Sequence, residues 1–170
     1  PSQSLIDDLA ALDGDIIILG VGGKIGPCLA RMAKRAAPGK RIVGVARFSN
    51  SEVKQRLEDW GVETLACDLL DRQAVAELPK LPNVIYMAGR KFGTDGDEPF
   101  TWAMNVCVPA LVAEAFAQSR IVAFSTLCVY PFTDVTGPLC KEDAATVPIG
   151  EYANSCVGRE RIFQRQIPCF

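Results

Sequence analysis

The 170 residues carry 18 Lys and Arg against 20 Asp and Glu, with no His and a formal charge of −2. That length suits one domain, 1–170, which buries a sizeable core without disulfide or metal staples; 49% hydrophobic and 22% charged residues exclude a disordered chain. The slight acidity, with an isoelectric point near 5.2, argues against nucleic acid, which calls for a basic face.

Short apolar runs alternate with helical patterns along the chain. DIIILG (15–20) is Ile-rich, too short for a helix and closed by Gly, and reads as a buried strand. KIGPCLARMAKRAA (24–37) has helical spacing and stops at Pro38-Gly39. RIVGVA (41–46) is a second strand, and SEVKQRLEDWG (51–61) an amphipathic helix with Gly61 as its C-cap. VETLACDL (62–69) is a third strand, followed by a short helix from Asp71. NVIYMAG (83–89) is a fourth, before a long helix over 99–118 that Pro109 kinks or breaks. RIVAFST (120–126) is a fifth strand, a loop rich in Pro, Gly and Thr covers 131–149, and EYANSCVGRERIFQRQ (151–166) is the last helix. The alternation predicts an α/β fold, a doubly wound parallel sheet of the Rossmann type in the order 3-2-1-4-5. IPCF (167–170) reads as the opening of a sixth strand, so the chain is expected to be the N-terminal part of something longer.

Seven Cys stand at 28, 67, 107, 128, 140, 156 and 169 without a C-x-x-C pair, and without His the usual zinc patterns cannot be drawn. Read as buried free thiols, they point to a reducing, cytoplasmic setting. No run approaches the roughly 20 apolar residues of a membrane span. The start, PSQSLIDDLA, lacks the basic and apolar regions of a signal peptide.

Gly20-Val21-Gly22-Gly23-Lys24-Ile25-Gly26 follows the first strand and opens a helix. This is G-x-x-G-x-x-G rather than G-x-G-x-x-G, but the physics is shared. Gly20 permits a tight turn, Gly23 lets backbone approach a pyrophosphate, and Gly26 lets helix and strand pack closely. The helix N-terminus offers N–H groups and a partial positive charge to phosphates; Lys24 is a further phosphate contact. At the end of the second strand Ala46 occupies the position where an acid would hold the ribose of NAD, and Arg47 follows. An Arg suits the 2'-phosphate, so NADP is preferred over NAD. Asp68 ends the third strand, either to accept from an adenine amino group or to cap the helix after it.

Taken together, GVGGKIG (20–26), CDL (67–69), VIYMAG (84–89), Asn105, FSTLCVYP (124–131) and EYANSCVGRE (151–160) resemble the extended short-chain dehydrogenase/reductase family, the NAD-dependent epimerase/dehydratase group. The resemblance covers nearly the whole chain in the family's order and spacing. It implies cofactor contacts from Ile25, Leu69, Ala88 and Gly89 beside those already named. It implies that Thr126 bonds the substrate oxygen, that Tyr152 is the general base or acid, and that Asn105 steadies the fourth helix. Where the family has Tyr-x-x-x-Lys, this chain has Cys156. The missing Lys would have bonded the nicotinamide ribose and lowered the Tyr pKa, which is near 10 in a free side chain. Lys91, with Arg90 beside it just past the fourth strand, is the expected replacement cation. The implied function is an NAD(P)-dependent oxidoreductase, epimerase or dehydratase acting on a nucleotide sugar or similar small hydroxyl substrate, truncated before the family's substrate-binding part. A non-catalytic NAD(P)-binding regulator is the alternative. The family often dimerises through two helices, here about 99–118 and 151–166.

Overall fold

The computed structural model describes residues 1–138 and 140–166. Two compact units emerge, Pro1–Ala88 with Glu114–Phe124, and Gly89–Ala113 with Ser125–Phe170.

The first unit holds the whole sheet. Strands β1 (Ile16–Leu19), β2 (Ile42–Ala46), β3 (Glu63–Ala66), β4 (Asn83–Tyr86) and β5 (Arg120–Ala123) lie in the order β3-β2-β1-β4-β5. All four pairings are parallel, as the alternating pattern requires. Ile16, Ile17, Ile18 and Leu19 are each at most 2% exposed. Burial on both faces explains why β1 reads as a continuous apolar run rather than an alternating one. Register is fixed at the strand starts: the Asn83 amide donates to the carbonyls of Asp13 and Asp15 at 2.8 and 3.1 Å, and the Arg41 N–H donates to the Asp15 carboxylate at 2.9 Å.

Helices α1 (Gln3–Ala11), α2 (Gly26–Ala36), α3 (Ser51–Asp59) and α4 (Arg72–Glu77) belong to the same unit. Ile16, Ile18, Val21, Ala30, Ala33, Ile42, Leu57 and Val62 form one core cluster, flanked by Leu9, Leu29 and Val53 from the first three helices. The caps follow local chemistry. Ser2 accepts from the Leu5 N–H, Asn50 from Glu52, and Asp71 from Gln73 and Ala74. Gly61 closes α3 at φ +75°, as its place in the sequence suggested. Helix α1 was not anticipated, although Leu5, Ile6, Leu9 and Leu12 stand at helical spacing and are half-buried.

The second unit is helical. The expected helix over 99–118 is instead α5 (Glu98–Trp102), a π-helical turn (Ala103–Cys107) and α6 (Val108–Ala115). The reason is Pro109, which has no N–H to give to the carbonyl four residues back. The ladder widens just before it, and the Val108 N–H donates to the Ala103 carbonyl, five residues back. Helix α7 (Gly150–Gln166) packs on α5, on the π turn and on a 3₁₀ turn (Leu127–Val129). Gly158 permits the close approach, since a Cβ there would lie 2.9 Å from the Val106 side chain. Among the described residues 131–149 contains no helix or strand, as its composition suggested. IPCF (167–170), read as a sixth strand, lies outside the described residues, as does Cys169.

The cysteines depart from expectation. Cys67 and Cys156 are buried, but Cys28, Cys107, Cys128 and Cys140 are exposed. Among the described residues no group of acids and cysteines is placed to hold a metal ion. Among the described residues no helix is long and apolar enough to cross a membrane.

Candidate functional site

The glycine loop joins β1 to α2, and its glycines are demanded by different things. Gly20 has φ +91°, and a Cβ on it would lie 2.6 Å from the Ala88 nitrogen. Gly26 would drive a Cβ to 2.2 Å from the Val21 carbonyl oxygen. Both are therefore required by the protein's own packing. Gly23 is not: its φ is not left-handed, and a Cβ there would meet nothing nearer than the Gly20 oxygen at 3.6 Å. A Cβ at Gly23 would have room, so the fold itself does not demand a glycine there. Hydrogen bonds hold the loop. Gly20 and Val21 both donate to the Val45 carbonyl at 2.9 and 3.1 Å, and Gly23 donates to Gly20 at 3.2 Å. Lys24 and Ile25 are exposed at the mouth of α2, whose N-cap Ile25 offers no side-chain cap.

The remaining cofactor candidates of this unit stand at the carboxyl ends of neighbouring strands. Ala46 ends β2, with its methyl 3.1 Å from where a Gly22 Cβ would be, and Arg47 follows exposed. Asp68 is exposed and accepts from the Leu70 N–H at 3.0 Å. Asp71, not Asp68, is the cap of α4. Leu69 and Ala88 are buried, Ala88 directly against Gly20. Gly44, in mid-β2, was missed in the sequence: a Cβ there would press on Val21 at 2.9 Å, so this glycine seats the loop.

In the second unit, Tyr152 sits half-buried on the first turn of α7. Its phenol pKa is raised, first by burial and further by Cys156; the Thr126 hydroxyl and, more weakly, the charge of Arg159 pull it down. Burial also pushes the Cys156 thiol up, opposed first by Arg159. Thr126 caps the 3₁₀ turn, its hydroxyl accepting from the Cys128 N–H at 3.3 Å. Thr126 and Tyr152 are thus together, as the sequence implied. Tyr152 opens onto a cavity of about 400 Å³ lined by Leu127, Cys128, Tyr130, Phe132 and Ile149.

Asn105, on the π turn, organises this unit. Its side chain is fully buried, accepts from the Arg90 N–H at 2.8 Å, and donates to the Arg90 carbonyl at 2.9 Å and the Ser155 hydroxyl at 3.0 Å. Ser155 in turn donates to the Tyr152 carbonyl at 2.7 Å. The loop after β4 is thereby tied to α7. Arg90 spends its charge within that loop: it pairs with Asp97 at 2.6 Å, donates to the carbonyls of Phe92 and Gly93, and stacks 4.7 Å from the Phe100 ring centre. Lys91 is exposed, with its ammonium 5.7 Å from the Phe92 ring centre, and it is not among the groups acting on the Tyr152 phenol. The cation that is among them, Arg159, was missed. Its signal was present: Ala153, Cys156, Arg159 and Phe163 are the buried stripe of α7, and an Arg inside an apolar stripe is unusual.

No protein-family model and no curated protein sequence matches the chain. Solved structures do. WbmG of Bordetella bronchiseptica, in complex with NAD, is 23% identical with a TM-score of 0.72, over 91% of this chain and 50% of that one. WbmH of the same organism, in complex with NAD+, gives 21% and 0.76 over 91% and 53%. MoeE5, in complex with UDP-glucose and NAD, gives 23% and 0.73 over 90% and 49%. The chain thus spans about half the length of the structures it matches, and over that half it shares their fold, the expected doubly wound parallel sheet.

Proposed function

We propose that the chain is the dinucleotide-binding half of an NAD(P)-dependent oxidoreductase of the epimerase or dehydratase kind, acting on a nucleotide sugar or similar small hydroxyl-bearing molecule. The observation that carries this reading is a glycine the fold itself does not require: a Cβ at Gly23 would find only the Gly20 oxygen at 3.6 Å, just before a helix in a Rossmann-type sheet. The likeness to proteins crystallised with NAD, and in one case with UDP-glucose, supports the choice of cofactor and substrate class.

In this reading Gly20, Gly23 and Gly26, with Lys24 and Ile25, hold the pyrophosphate. Arg47 meets a 2'-phosphate, so NADP is taken in preference to NAD. Asp68, one carboxylate oxygen of which is engaged by Leu70, uses the other for the adenine amino group beside Leu69. At Ala88 and Gly89 the backbone passes close to the ribose. When bound, the dinucleotide accepts or returns a hydride. Thr126 donates a hydrogen bond to the substrate oxygen, Tyr152 moves the proton of the reacting hydroxyl, and Lys91, exposed on the loop past β4, meets the substrate as an accessory cation. Helices α5–α6 and α7 are the proposed homodimer surface. Calorimetric titration with NADPH and NADH, then hydride-transfer assays on a panel of nucleotide sugars, tests the proposal. Absence of binding at millimolar dinucleotide would end it.

A second reading is favoured by one observation: burial and Cys156 hold the Tyr152 phenol above its ordinary value, which opposes proton abstraction at neutral pH. On that reading the protein binds the dinucleotide and senses it without turnover. Tight binding with no hydride transfer on any substrate would select it.

A further inference from the structure

We propose that Arg159 is a positioning residue for Tyr152: its buried guanidinium, carried on the same face of α7, supplies the positive charge against which the phenol gives up its proton. This rests on reading Tyr152 as the proton carrier.

The geometry comes from the helix. Tyr152, Cys156 and Arg159 lie at i, i+4 and i+7, hence on one face. Side chains on a helix lean toward its N-terminus, so a long Arg side chain covers the turn before its own Cα. For Arg159 that turn carries Cys156, and Tyr152 comes next. The residue is 6% exposed. One guanidinium nitrogen fixes its seat: a Cβ on Gly89 would lie 2.8 Å from Arg159 Nη1 and 3.0 Å from Asn105 Oδ1. The absence of a side chain at Gly89 is therefore what lets the guanidinium sit there, beside the amide that ties α7 to the loop past β4. In so dry a place a guanidinium is little screened by solvent. The electrostatics agree in sign, since Arg159 favours ionisation of both the Tyr152 phenol and the Cys156 thiol.

Other charged or titratable groups around the pair do not replace it. On α7, Glu160 accepts from the Ser125 hydroxyl and opposes ionisation of the thiol, and Glu151 is bonded to the Trp102 indole at 2.5 Å. On the 3₁₀ turn, Cys128 also opposes it. Tyr130 donates to the Glu142 carbonyl at 3.3 Å. On the loop past β4, Arg90 is paired with Asp97 and Lys91 is exposed.

The test replaces Tyr152 with 3,5-difluorotyrosine, whose phenol titrates nearer neutrality, and follows its fluorine resonance against pH without any dinucleotide. Arg159→Met removes the charge and keeps the stem, Arg159→Lys keeps a charge, and Gly89→Ala displaces the guanidinium. The midpoint is expected to rise in Arg159→Met and Gly89→Ala and to stay nearer the parent value in Arg159→Lys. A midpoint in Arg159→Met or Gly89→Ala at or below the parent, or a rise in Arg159→Lys as large as in Arg159→Met, overturns the proposal. Should the variants fail to fold, the Arg159 Cζ carbon resonance of the parent protein decides: it must inflect at the phenol midpoint, and a flat trace overturns the proposal. Because no dinucleotide is present, loss of the cofactor reading leaves this result standing, and the converse holds.

Discussion

The glycines of the β1–α2 loop make a paired prediction, because the structure separates Gly20 and Gly26, needed by the fold, from Gly23, which the fold does not demand and the proposal gives to a phosphate. In Gly23→Val the new Cβ meets nothing nearer than 3.6 Å, at a φ that any residue tolerates. The stability change should stay within about 0.5 kcal/mol, as for a surface position. The side chain would nonetheless fill the space where backbone N–H groups meet phosphate oxygens. Losing one such charge-assisted bond costs about 1.5–3 kcal/mol, so dinucleotide affinity should fall at least about tenfold. In Gly26→Ala the Cβ would stand 2.2 Å from the Val21 carbonyl oxygen. Backbone, not a flexible side chain, must move, and that overpacking should cost about 1–3 kcal/mol or more. At about 2–4 °C per kcal/mol for a chain of this size, Gly26→Ala should melt several degrees lower while Gly23→Val melts with the parent. Circular dichroism gives the melting points and calorimetry with NADPH the affinities. A folded Gly23→Val that binds NADPH like the parent would refute the reasoning, and the loop would then be a structural turn only.

Arg47→Ala should weaken NADPH by about 1.5–3 kcal/mol, the worth of a bond to a charged group, and leave NADH untouched; calorimetry showing equal loss for both, or none, counts against a 2'-phosphate contact. Asn105→Ala leaves the buried Arg90 N–H and carbonyl without their partner, which should cost about 1–3 kcal/mol, measurable by urea unfolding. In a turnover assay Tyr152→Phe should remove most activity, Lys91→Ala should lower it and Cys156→Ser should change it little; undiminished turnover in Lys91→Ala takes that residue out of the site.

The sheet was legible because its physics is local. Four consecutive apolar residues, Ile16 to Leu19, cannot be satisfied except in a strand covered on both faces, and alternation with helical patterns leaves few topologies beyond 3-2-1-4-5. Where sequence reading slipped, the deciding interaction was of another kind. Helix α1 did carry a signal, Ser2 as a cap and Leu5, Ile6, Leu9 and Leu12 at helical spacing, but none of its side chains is fully buried. Pro109 was recognised as a disruption, but its consequence falls upstream, in the π turn of Ala103–Cys107. That shift accompanies the full burial of Asn105, bonded at once to Arg90 and Ser155.

The site divides along the same line. Gly20 and Gly26 look alike in the sequence to Gly23, and only three-dimensional contacts separate two glycines that the fold demands from one that it does not. The charge near Tyr152 was sought in the loop past β4, because strand ends line ligand crevices, and Lys91 and Arg90 were the cations there. The loop uses Arg90 to hold itself to Asp97. Arg159 escaped notice as a late-helix arginine, a type usually solvated. Helical phase was the missed information: counted from Ala153 and Cys156, position 159 falls inside the buried stripe, and a charge placed there must act on what it faces.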